Sequence, residues 1–376
     1  MDATSIPRDR AGVGRYLSQI IPALAIDERV GLTVVAKASD VAWLTERAPG
    51  ARVVRAGRAT ASRPLRLIWE QLALPFLARR HRAHVVFSPH YTVPVLSPAP
   101  VVVCCHDATF FTTPELHEPV KARFFRVWTR IAVRRARAVV VPSASARDEI
   151  FAAAGGEAAR FHVAYHGIDG AVFHPPAAAD LAAARELVGA ERWIAFLGTR
   201  EPRKNLPALI RAFVAALPAL DAAHPGIRLA IAGASGWDPA IDEALAEAPA
   251  GRVGVLGYVP DDVLPGLLGG ALLVAYPSLG EGFGLPVAEA MACGAAVLTT
   301  PRLSLPEVGG EVAAYAEPDS DALRAALERL LLDDDARAER ARRGPARAAL
   351  FTWTASADAH VAAFEAAAGP SSGRAR

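Results

Sequence analysis

The sequence predicts an α/β protein with two Rossmann-like, doubly wound domains that face each other across a cleft. Short apolar runs alternate with longer stretches of helical periodicity along the chain. Strands that are apolar on both faces need helices above and below them, so this alternation favours parallel sheets. The 376 residues exceed what one hydrophobic core usually holds. The alternation breaks at residues 169–179, where Pro175-Pro176 cannot extend a sheet, and this break predicts the domain boundary.

The first half contains five predicted strands and three predicted helices. The strands are residues 32–36, 52–55, 83–87, 100–105 and 138–141, and the helices are residues 13–25, 65–80 and 119–137. The helical period is clearest in residues 13–25, where Leu17, Ile20 and Leu24 share one face. Only a stub, residues 1–4, precedes the turn Gly12-Val13-Gly14, where a doubly wound domain normally has its first strand. Either the start lies upstream of Met1 or the first strand is truncated. We expect the upstream start, because a missing central strand would leave its neighbours' backbone groups unpaired.

The second half repeats the pattern. Strands are predicted at residues 193–197, 227–232, 253–256, 271–275 and 295–299, and helices are predicted to start near Lys204, Pro239, Asp261 and Leu285. We therefore expect domains at residues 1–170 and 171–350, followed by a helix at residues 351–368. Residues 369–376 are polar and rich in Gly and Ser, which predicts a disordered tail.

Composition excludes several classes of protein. The net charge is +2, so the overall charge gives no case for nucleic-acid binding. No unbroken apolar run reaches the roughly 18 to 20 residues that a bilayer span needs. The N-terminus lacks a basic region followed by an apolar one, so we expect no secretory signal and a cytoplasmic protein. Three cysteines are too few for a disulfide framework, and Cys104-Cys105 is expected to lie inert in a buried strand.

A glycine-rich turn with two carboxylates is the strongest functional feature. Residues 276–278 end a predicted strand, the turn occupies residues 280–284, and a helix opens with Pro286 in its first turn. The start of a helix after glycines offers free N–H groups and a partial positive charge, which suits a diphosphate. Glu281 lies at the rim, where it can accept hydrogen bonds from sugar hydroxyls, and Glu289 lies one turn into the helix, where it can hold a ribose. The alternative is an ordinary strand-turn-helix with two surface glutamates, which the glycines disfavour.

Two further loops follow predicted strands. Residues 198–205 carry Arg200, Arg203 and Lys204, cations that can neutralise a leaving diphosphate at the edge where open α/β sheets bind ligands. The alternative is a solvated charged turn. His106 follows the strand at 100–105, where a histidine can touch a ligand in the cleft or merely satisfy local hydrogen bonds.

A basic stripe is predicted on the helix at residues 119–137. Arginines recur there at steps of three and four, which places them on one helical face, and they are Arg123, Arg126, Arg130, Arg134 and Arg137. Further arginines of the same half are Arg63, Arg66, Arg79, Arg80 and Arg82. This face could meet an anionic bilayer at the inner side of a membrane, whereas a solvated helix face is the plainer interpretation.

Together these residues resemble glycosyltransferase family 4, a retaining family with the GT-B fold. Residues 276–294, Tyr-Pro-Ser-Leu-Gly-Glu-Gly-Phe-Gly-Leu-Pro-Val-Ala-Glu-Ala-Met-Ala-Cys-Gly, are similar to the family signature almost residue for residue. Residues 198–205 resemble its phosphate loop, and residues 141–148 and 165–169 resemble the end of its N-terminal domain. Trp353 and the helix after it resemble the segment that crosses back to the first domain. The resemblance spans Asp2 to Ala366.

The resemblance implies a role for each candidate residue. It assigns the donor diphosphate to Lys204, Arg203, Arg200 and Gly14, and the donor sugar and ribose to Glu281, Gly282, Phe283, Gly284, Leu285 and Glu289. It assigns the base to Tyr258 and Val259, the acceptor to Ser88, His90 and Tyr91, and the stabilisation of positive charge at the anomeric carbon to His106. Thr199 stands where many members have arginine, so either Arg200 or Arg203 must supply the second cation.

The implied reaction is a front-face substitution with retention. A hexose, mannose from GDP-mannose being the first expectation, passes from a nucleoside-diphosphate sugar to a hydroxyl of a glycan or lipid-linked acceptor. No Asp-x-Asp pair lies on a loop suited to a metal, so we expect neither a metal nor a cofactor.

Three alternatives stand beside this interpretation. The same fold could serve a sugar-nucleotide epimerase or a phosphorylase, although the Glu-Gly-Phe-Gly turn disfavours an epimerase. Two Rossmann-like halves could also serve a nicotinamide-dependent oxidoreductase, although Gly12-Val13-Gly14 lacks the third glycine of the fingerprint. The third is a non-catalytic scaffold held at a membrane by the arginine stripe.

Overall fold

The computed structural model describes residues 1–7 and 12–369, except for the side chain of Arg63. The predicted disordered tail lies outside these residues from position 370 onward. The chain forms two compact units, of which one comprises Met1–Gly167 with the segment that begins at Thr352, and the other comprises Ile168–Phe351. Each unit has its own parallel sheet and its own core.

Among its described residues, the first unit contains six strands and six α-helices before the chain enters the second unit. The strands are β1 (Thr33–Ala36), β2 (Arg52–Arg55), β3 (Val86–Ser88), β4 (Val101–Cys104), β5 (Ala138–Val141) and β6 (Phe161–Val163). The helices are α1 (Val13–Ala25), α2 (Val41–Arg47), α3 (Arg63–Arg80), α4 (Thr109–Thr112), α5 (Pro119–Arg135) and α6 (Ala144–Ala154).

The N-terminal stub occupies the central position of this unit's sheet. The Asp2 N–H donates to the Phe87 carbonyl at 3.0 Å, and the Ala3 N–H donates to the Val35 carbonyl at 2.8 Å. The stub therefore lies between β1 and β3, and the order becomes β2, β1, stub, β3, β4, β5, β6. This is the order of a doubly wound sheet, and the backbone groups of Val35 and Phe87 that a missing central strand would leave unpaired have partners in the stub.

Two helical layers cover this sheet. Trp69 and Leu74 of α3, Val133 of α5 and Ile150 of α6 pack on one face. Leu17, Ile20 and Leu24 of α1 and Leu44 of α2 pack on the other. Helices α3 and α5 therefore belong to the same outer layer, because they cover the same face of the sheet.

The second unit is doubly wound as well. Its strands are β7 (Trp193–Leu197), β8 (Arg228–Ala232), β9 (Val253–Gly257), β10 (Leu273–Tyr276), β11 (Val297–Thr299) and β12 (Ala314–Tyr315), and they pair in the order β12, β11, β10, β7, β8, β9. Its helices are α7 (Ala178–Val188), α8 (Leu206–Ala223), α9 (Ala240–Glu247), α10 (Leu264–Gly269), α11 (Leu285–Ala292), α12 (Leu305–Gly309), α13 (Ser320–Leu331) and α14 (Asp334–Ala348). The strand order reverses between β7 and β10, which is where open α/β sheets bind ligands.

The last helix returns to the first unit. Helix α15 (Trp353–Ala368) begins after Thr352, whose hydroxyl accepts a hydrogen bond from the Ala355 N–H at 3.1 Å. It packs against α1, β4, β5 and β6, and Val361 and Ala363 lie in their common core. The first unit is therefore built from both ends of the described chain.

One helical stretch among the described residues is long and apolar enough to cross a membrane by length and composition, and it is Pro202–Ala223. It comprises α8 and the single 3₁₀ turn before it. Leu206, Leu209, Ile210 and Phe213 are fully buried in the core of the second unit. A core helix of a folded domain meets the same criteria.

Candidate active site

Two loops meet at the reversal point of the second unit. Strand β7 leads into residues 198–205, and the adjacent strand β10 leads into residues 277–284. The Leu279 N–H donates to the Arg203 carbonyl at 2.8 Å, which holds the two loops together. The cationic loop and the glycine-rich turn that the sequence singles out thus form one site in the second unit.

The carboxylate of Glu281 is the centre of this site. Its Oε1 accepts hydrogen bonds from Lys204 Nζ at 2.6 Å, Ser278 Oγ at 2.6 Å and Tyr276 Oη at 2.8 Å. Its Oε2 lies 2.5 Å from Arg203 Nη1. We call Arg203, Lys204 and Glu281 the charge cluster.

Glu281 and Lys204 of the charge cluster are buried and Arg203 is half-buried, so the predicted position of Glu281 at the rim is corrected to a buried one. Glu281 and Lys204 each expose only 8% of their surface. Burial alone would raise the pKa of Glu281, but Arg203, Lys204 and the hydrogen bonds of Lys204 and Ser278 hold that pKa well below its usual range. Burial and the neighbouring Arg203 lower the pKa of Lys204, against the opposing effect of Glu281 and Glu201. Glu281 is therefore a carboxylate at neutral pH and fixes two cations.

Arg203, and not Arg200, lies with Lys204 on Glu281. Arg203 Nη1 also donates to the Gly280 carbonyl at 2.6 Å, and its Nη2 donates to Glu201 Oε1 at 2.7 Å. The backbone N–H of Arg200 donates to the Ala234 carbonyl, and its buried Nε has no hydrogen-bond partner among the described residues. The sequence left the second cation open, and the geometry favours Arg203.

The turn before α11 is held in a conformation that requires glycine. Gly284 has a φ of +101°, and a Cβ there would come within 2.8 Å of the Leu305 side chain. Ser304 Oγ lies 2.8 Å from the carbonyl oxygens of both Glu281 and Phe283, and its one proton is shared between them. These bonds fix the glycine-rich turn beside the start of α11, where partial positive charge favours an anion.

The other residues that the resemblance assigns to the donor differ in how much of their surface is exposed to solvent. Phe283 and Glu289 are buried, with 3% and 2% exposed, whereas Leu285 is half-buried. Tyr258 is 77% exposed and Val259 is buried, and both follow β9, the edge strand two positions from β7. Gly14 is the second residue of α1 in the first unit.

In the first unit, His106 lies at the end of β4 and contacts the chain that follows β3. Its Nε2 lies 2.9 Å from the Pro89 carbonyl, which can only accept, so this nitrogen carries the proton of the neutral ring. The Asp107 N–H donates to Tyr91 Oη at 3.0 Å. Ser88 is buried, and its hydroxyl has no hydrogen-bond partner within the described part of the chain. Three predicted residues, Ser88, Tyr91 and His106, thus meet at the ends of two adjacent strands.

Aromatic rings surround His106. The Tyr16 ring lies 5.0 Å from the rings of both His106 and His166, and Trp353 stacks on His166 at 5.9 Å. Tyr16 Oη lies 2.6 Å from His360 Nε2, and His360 Nδ1 donates to the Ser356 carbonyl, so the tyrosine donates to the histidine. Tyr16 and His360 were missed by the sequence reasoning. Tyr16 lies two residues after the Gly12–Gly14 turn, which is a usable signal, whereas nothing in the sequence marks His360.

Burial keeps these three histidines neutral at pH 7. It lowers the pKa of His106, lowers that of His166 far below the usual value, and lowers that of His360 to about 4. In the case of His106, the hydrogen bond to Pro89 and the charge of Asp107 oppose this effect.

His90, assigned to the acceptor, belongs to a buried polar network. Arg66 Nη1 lies 3.0 Å from His90 Nε2, 3.0 Å from Glu70 Oε2 and 3.5 Å from Asp2 Oδ2. Among the described residues, Asp2, Glu70 and His90 are the three whose ligand atoms lie close enough for one metal ion. The guanidinium already supplies the positive charge at that point. Arg66 is therefore not part of a basic surface, contrary to the prediction.

The arginine stripe is exposed on α5 for most of its length. Arg123, Arg130 and Arg134 are exposed and Arg126 is half-buried. The guanidinium of Arg130 lies 5.0 Å from the centre of the Phe111 ring. Helix α5 ends at Arg135, because Ala136 is extended, so Arg137 lies in the turn to β5 and not on the helix as predicted.

Comparison with known proteins covers nearly the whole chain. Residues 10–171 match the family model for Glycosyltransferase Family 4, and residues 178–347 match the model for Glycosyl transferases group 1. O-antigen chain mannosyltransferase B of Escherichia coli is 29% identical over 356 residues, which cover 91% of this chain and 92% of that protein. D-inositol 3-phosphate glycosyltransferase of Segniliparus rotundus is 34% identical over 222 residues, which cover 54% of this chain and 46% of that protein.

Solved structures share the fold. The crystal structure of HepE from Anabaena in complex with UDP and glucose superposes with a TM-score of 0.73 at 20% identity, covering 96% of this chain and 97% of that one. The expected architecture of two doubly wound α/β units is confirmed.

Proposed function

Because the chain belongs to the family 4 and group 1 glycosyltransferases and is a hexosyltransferase, we propose that it transfers mannose from GDP-mannose to a hydroxyl of a glycan or lipid-linked acceptor. The choice of mannose is supported by the E. coli mannosyltransferase, which aligns along 91% of the chain. Family membership removes the nicotinamide-dependent oxidoreductase and the non-catalytic scaffold from the alternatives.

The charge cluster is the observation that carries this proposal. A departing nucleoside diphosphate accumulates negative charge, and a site stabilises it best when its cations are already in place. Glu281 holds Lys204 and Arg203 at 2.6 Å and 2.5 Å at the reversal point of the sheet. A diphosphate bound there would meet two positioned cations and the start of α11. Contact between Glu281 and donor-sugar hydroxyls stays a prediction.

The proposed step breaks the bond from the anomeric carbon to the diphosphate and forms a bond to the acceptor oxygen on the same face. The electron pair leaves with the nucleoside diphosphate, whose phosphate oxygen takes the acceptor's proton. The anomeric configuration is therefore retained, and no metal takes part. The lowered pKa of His106 keeps its ring neutral at pH 7. The ring and the backbone carbonyl can therefore lie beside the positive charge that develops at the anomeric carbon without repelling it.

A donor panel tests the assignment. The protein is incubated with GDP-mannose, UDP-glucose, ADP-glucose or dTDP-glucose, a mannoside acceptor and excess chelator, and the product is examined by NMR. We expect turnover with GDP-mannose and an α-linked product, since the donor is an α-glycosyl phosphate. Turnover restricted to UDP-glucose, the ligand of another HepE crystal structure with the same fold, would reassign the donor. A β-linked product or a strict need for Mg²⁺ would contradict the mechanism.

The same panel without acceptor addresses the epimerase. We expect the donor to be recovered unchanged apart from slow hydrolysis, whereas an epimerase would isomerise it. A thermal-shift series with GDP, UDP, ADP and dTDP gives an independent measure, because a bound nucleotide raises the melting temperature by mass action.

We also propose that the arginine stripe makes a peripheral contact with an anionic membrane. Arg123, Arg130 and Arg134 are exposed on α5, and that helix contains no acidic residue. Such a contact would place the protein at the inner face of the membrane, beside a lipid-linked acceptor. Binding to phosphatidylglycerol vesicles is expected to weaken as salt rises, because salt screens exposed charges. Salt-independent binding, or none, would remove this contact.

A further inference from the structure

Helix α3 exposes a continuous row of large apolar side chains. Leu65, Ile68, Leu72 and Phe76 are 50%, 57%, 72% and 65% exposed. Their spacing of three, four and four residues puts them on one face of the helix. Contiguous apolar surface of this kind marks an interaction site, whereas scattered exposed apolar residues need no explanation. We call these four residues the α3 row.

The α3 row points away from the core of its own unit. Leu74 and Ala78, on the opposite side of the helix, pack against the sheet. Glu70 also lies on that side, fully buried in the network with Arg66 and His90. The inner face of the helix therefore packs against its own unit, and its outer face is exposed to solvent.

The exposed charged side chains described on α3 and in the turn after it have one sign. Glu70 is the only acidic residue of α3, and it is buried. Arg79 continues the row by one more turn, and Arg79, Arg80 and Arg82 are all exposed. Helix α5 covers the same face of the sheet, and its exposed side carries Val120 and Val127 among the arginines already described. The outer layer thus combines apolar side chains with positive charge.

We infer that α3 docks on an anionic lipid bilayer, with the α3 row among the acyl chains and Arg79, Arg80 and Arg82 at the lipid phosphates. A helix with one apolar face and basic residues at its border lies in the plane of such an interface. A second copy of the chain fits less well, because α3 exposes no acidic side chain that could pair with the arginines of a facing α3. The inference rests on the membrane contact proposed for α5, but not on the donor or the chemistry.

Vesicle flotation tests the inference. The double variant Leu72→Glu/Phe76→Glu is compared with wild type on vesicles of phosphatidylglycerol and phosphatidylcholine in equal parts. We expect the variant to bind about tenfold more weakly or worse, because two inserted apolar side chains are lost and two repelled charges are gained. The control Leu187→Glu/Leu332→Glu changes exposed leucines of the second unit, which are 40% and 52% exposed, and should bind as wild type does. Unchanged binding of the α3 variant would overturn the inference.

A fluorescent label separates α3 from α5. All three native cysteines are buried, so Leu72→Cys can be labelled selectively with a polarity-sensitive fluorophore. Its emission should shift to the blue on the same vesicles, whereas a label at Leu332→Cys should not shift. A label at position 72 that does not shift, on protein that still floats, would reject α3 and leave the α5 contact standing. Wild type that elutes as a dimer, and Leu72→Glu/Phe76→Glu that elutes as a monomer, would show that the row binds a second copy and would also overturn the inference.

Discussion

Glu281 is the residue on which the candidate site depends, because four donors converge on its two oxygens. Removing one partner of a buried pair leaves the other charge without compensation, which costs more than the pair contributes. The same carboxylate sets the positions of Lys204 and Arg203. A single substitution there should therefore act on stability and on turnover together.

Substituting Glu281→Ala or Lys204→Ala should lower turnover by about a hundredfold or more, the typical loss for one key electrostatic group. Glu281→Ala should also destabilise the protein by about 3–5 kcal/mol, since it takes the nearest carboxylate from the buried Lys204 and leaves Arg203 with Glu201 alone. Initial rates and chemical denaturation measure the two effects. Glu247→Ala removes an exposed carboxylate that pairs with Arg211, and it should change neither. Near wild-type rates in both site variants would remove the charge cluster from the mechanism.

Three histidines of the first unit, His106, His166 and His360, make stability depend on pH. The pKa of His360 falls from 6.5 to about 4 on folding, and those of His106 and His166 also fall. The unfolded chain therefore binds more protons below pH 6.5, and stability is lost as the pH drops from there toward 4. Each such proton contributes a slope of about 1.4 kcal/mol per pH unit.

Substituting His360→Asn should reduce that slope. Unfolding free energies measured between pH 7 and pH 5 should fall less steeply for the variant than for wild type. Tyr16→Phe removes the donor to His360 while leaving the histidine buried, so it should lower stability but keep the slope. Identical slopes for wild type and His360→Asn would show that this histidine is not held neutral by the fold.

At the scale of the element, sequence periodicity predicted the long and regular helices and strands. Helix α1 occupies the residues that the apolar spacing predicts. Strands β6 and β12 were not predicted, because runs of three and two residues show no alternation. The end of α5 was placed two residues too late, because Arg137 continues the sequence spacing although Ala136 has already left the helix.

The residues of the candidate site likewise fall into those that local sequence predicts and those that only the fold brings together. Residues within one loop, such as Glu281 and its glycines, were predicted from their local sequence. The choice of Arg203 over Arg200 required the fold, since both follow the same strand. Tyr16 and His360 are 344 positions apart, so only the packing of α15 on α1 brings them together.

The conformation of the turn before α11 predicts that a substitution of Gly284 lowers both stability and turnover. Gly284→Ala must place a Cβ at a φ of +101° and within 2.8 Å of Leu305, so the turn should shift. We expect a loss of about 1–3 kcal/mol in stability and lower turnover, because the turn carries Glu281. Gly31→Ala is the control, since a Cβ there has nothing within 4 Å and φ is ordinary. If Gly284→Ala matched Gly31→Ala in melting temperature and rate, the turn would be less constrained than its geometry requires.

At the scale of the whole molecule, the units are not simple halves of the chain. The first unit takes its last helix from residues beyond the second unit, and α15 buries Val361 against α1 and the sheet. Val361→Glu should therefore destabilise the first unit, by placing an unpaired charge in its core. Hydrogen exchange should accelerate in α1, β4 and β5, while the core strands of the second unit, β7 and β8, keep their protection.

The neighbouring position provides the control for this experiment. Ala362 is exposed on the same helix, so Ala362→Glu adds the same charge without burying it and should leave the exchange of α1 unchanged. Equal acceleration in both variants would mean that α15 is held loosely. Acceleration in β7 and β8 by Val361→Glu alone would mean that the second unit draws stability from the first.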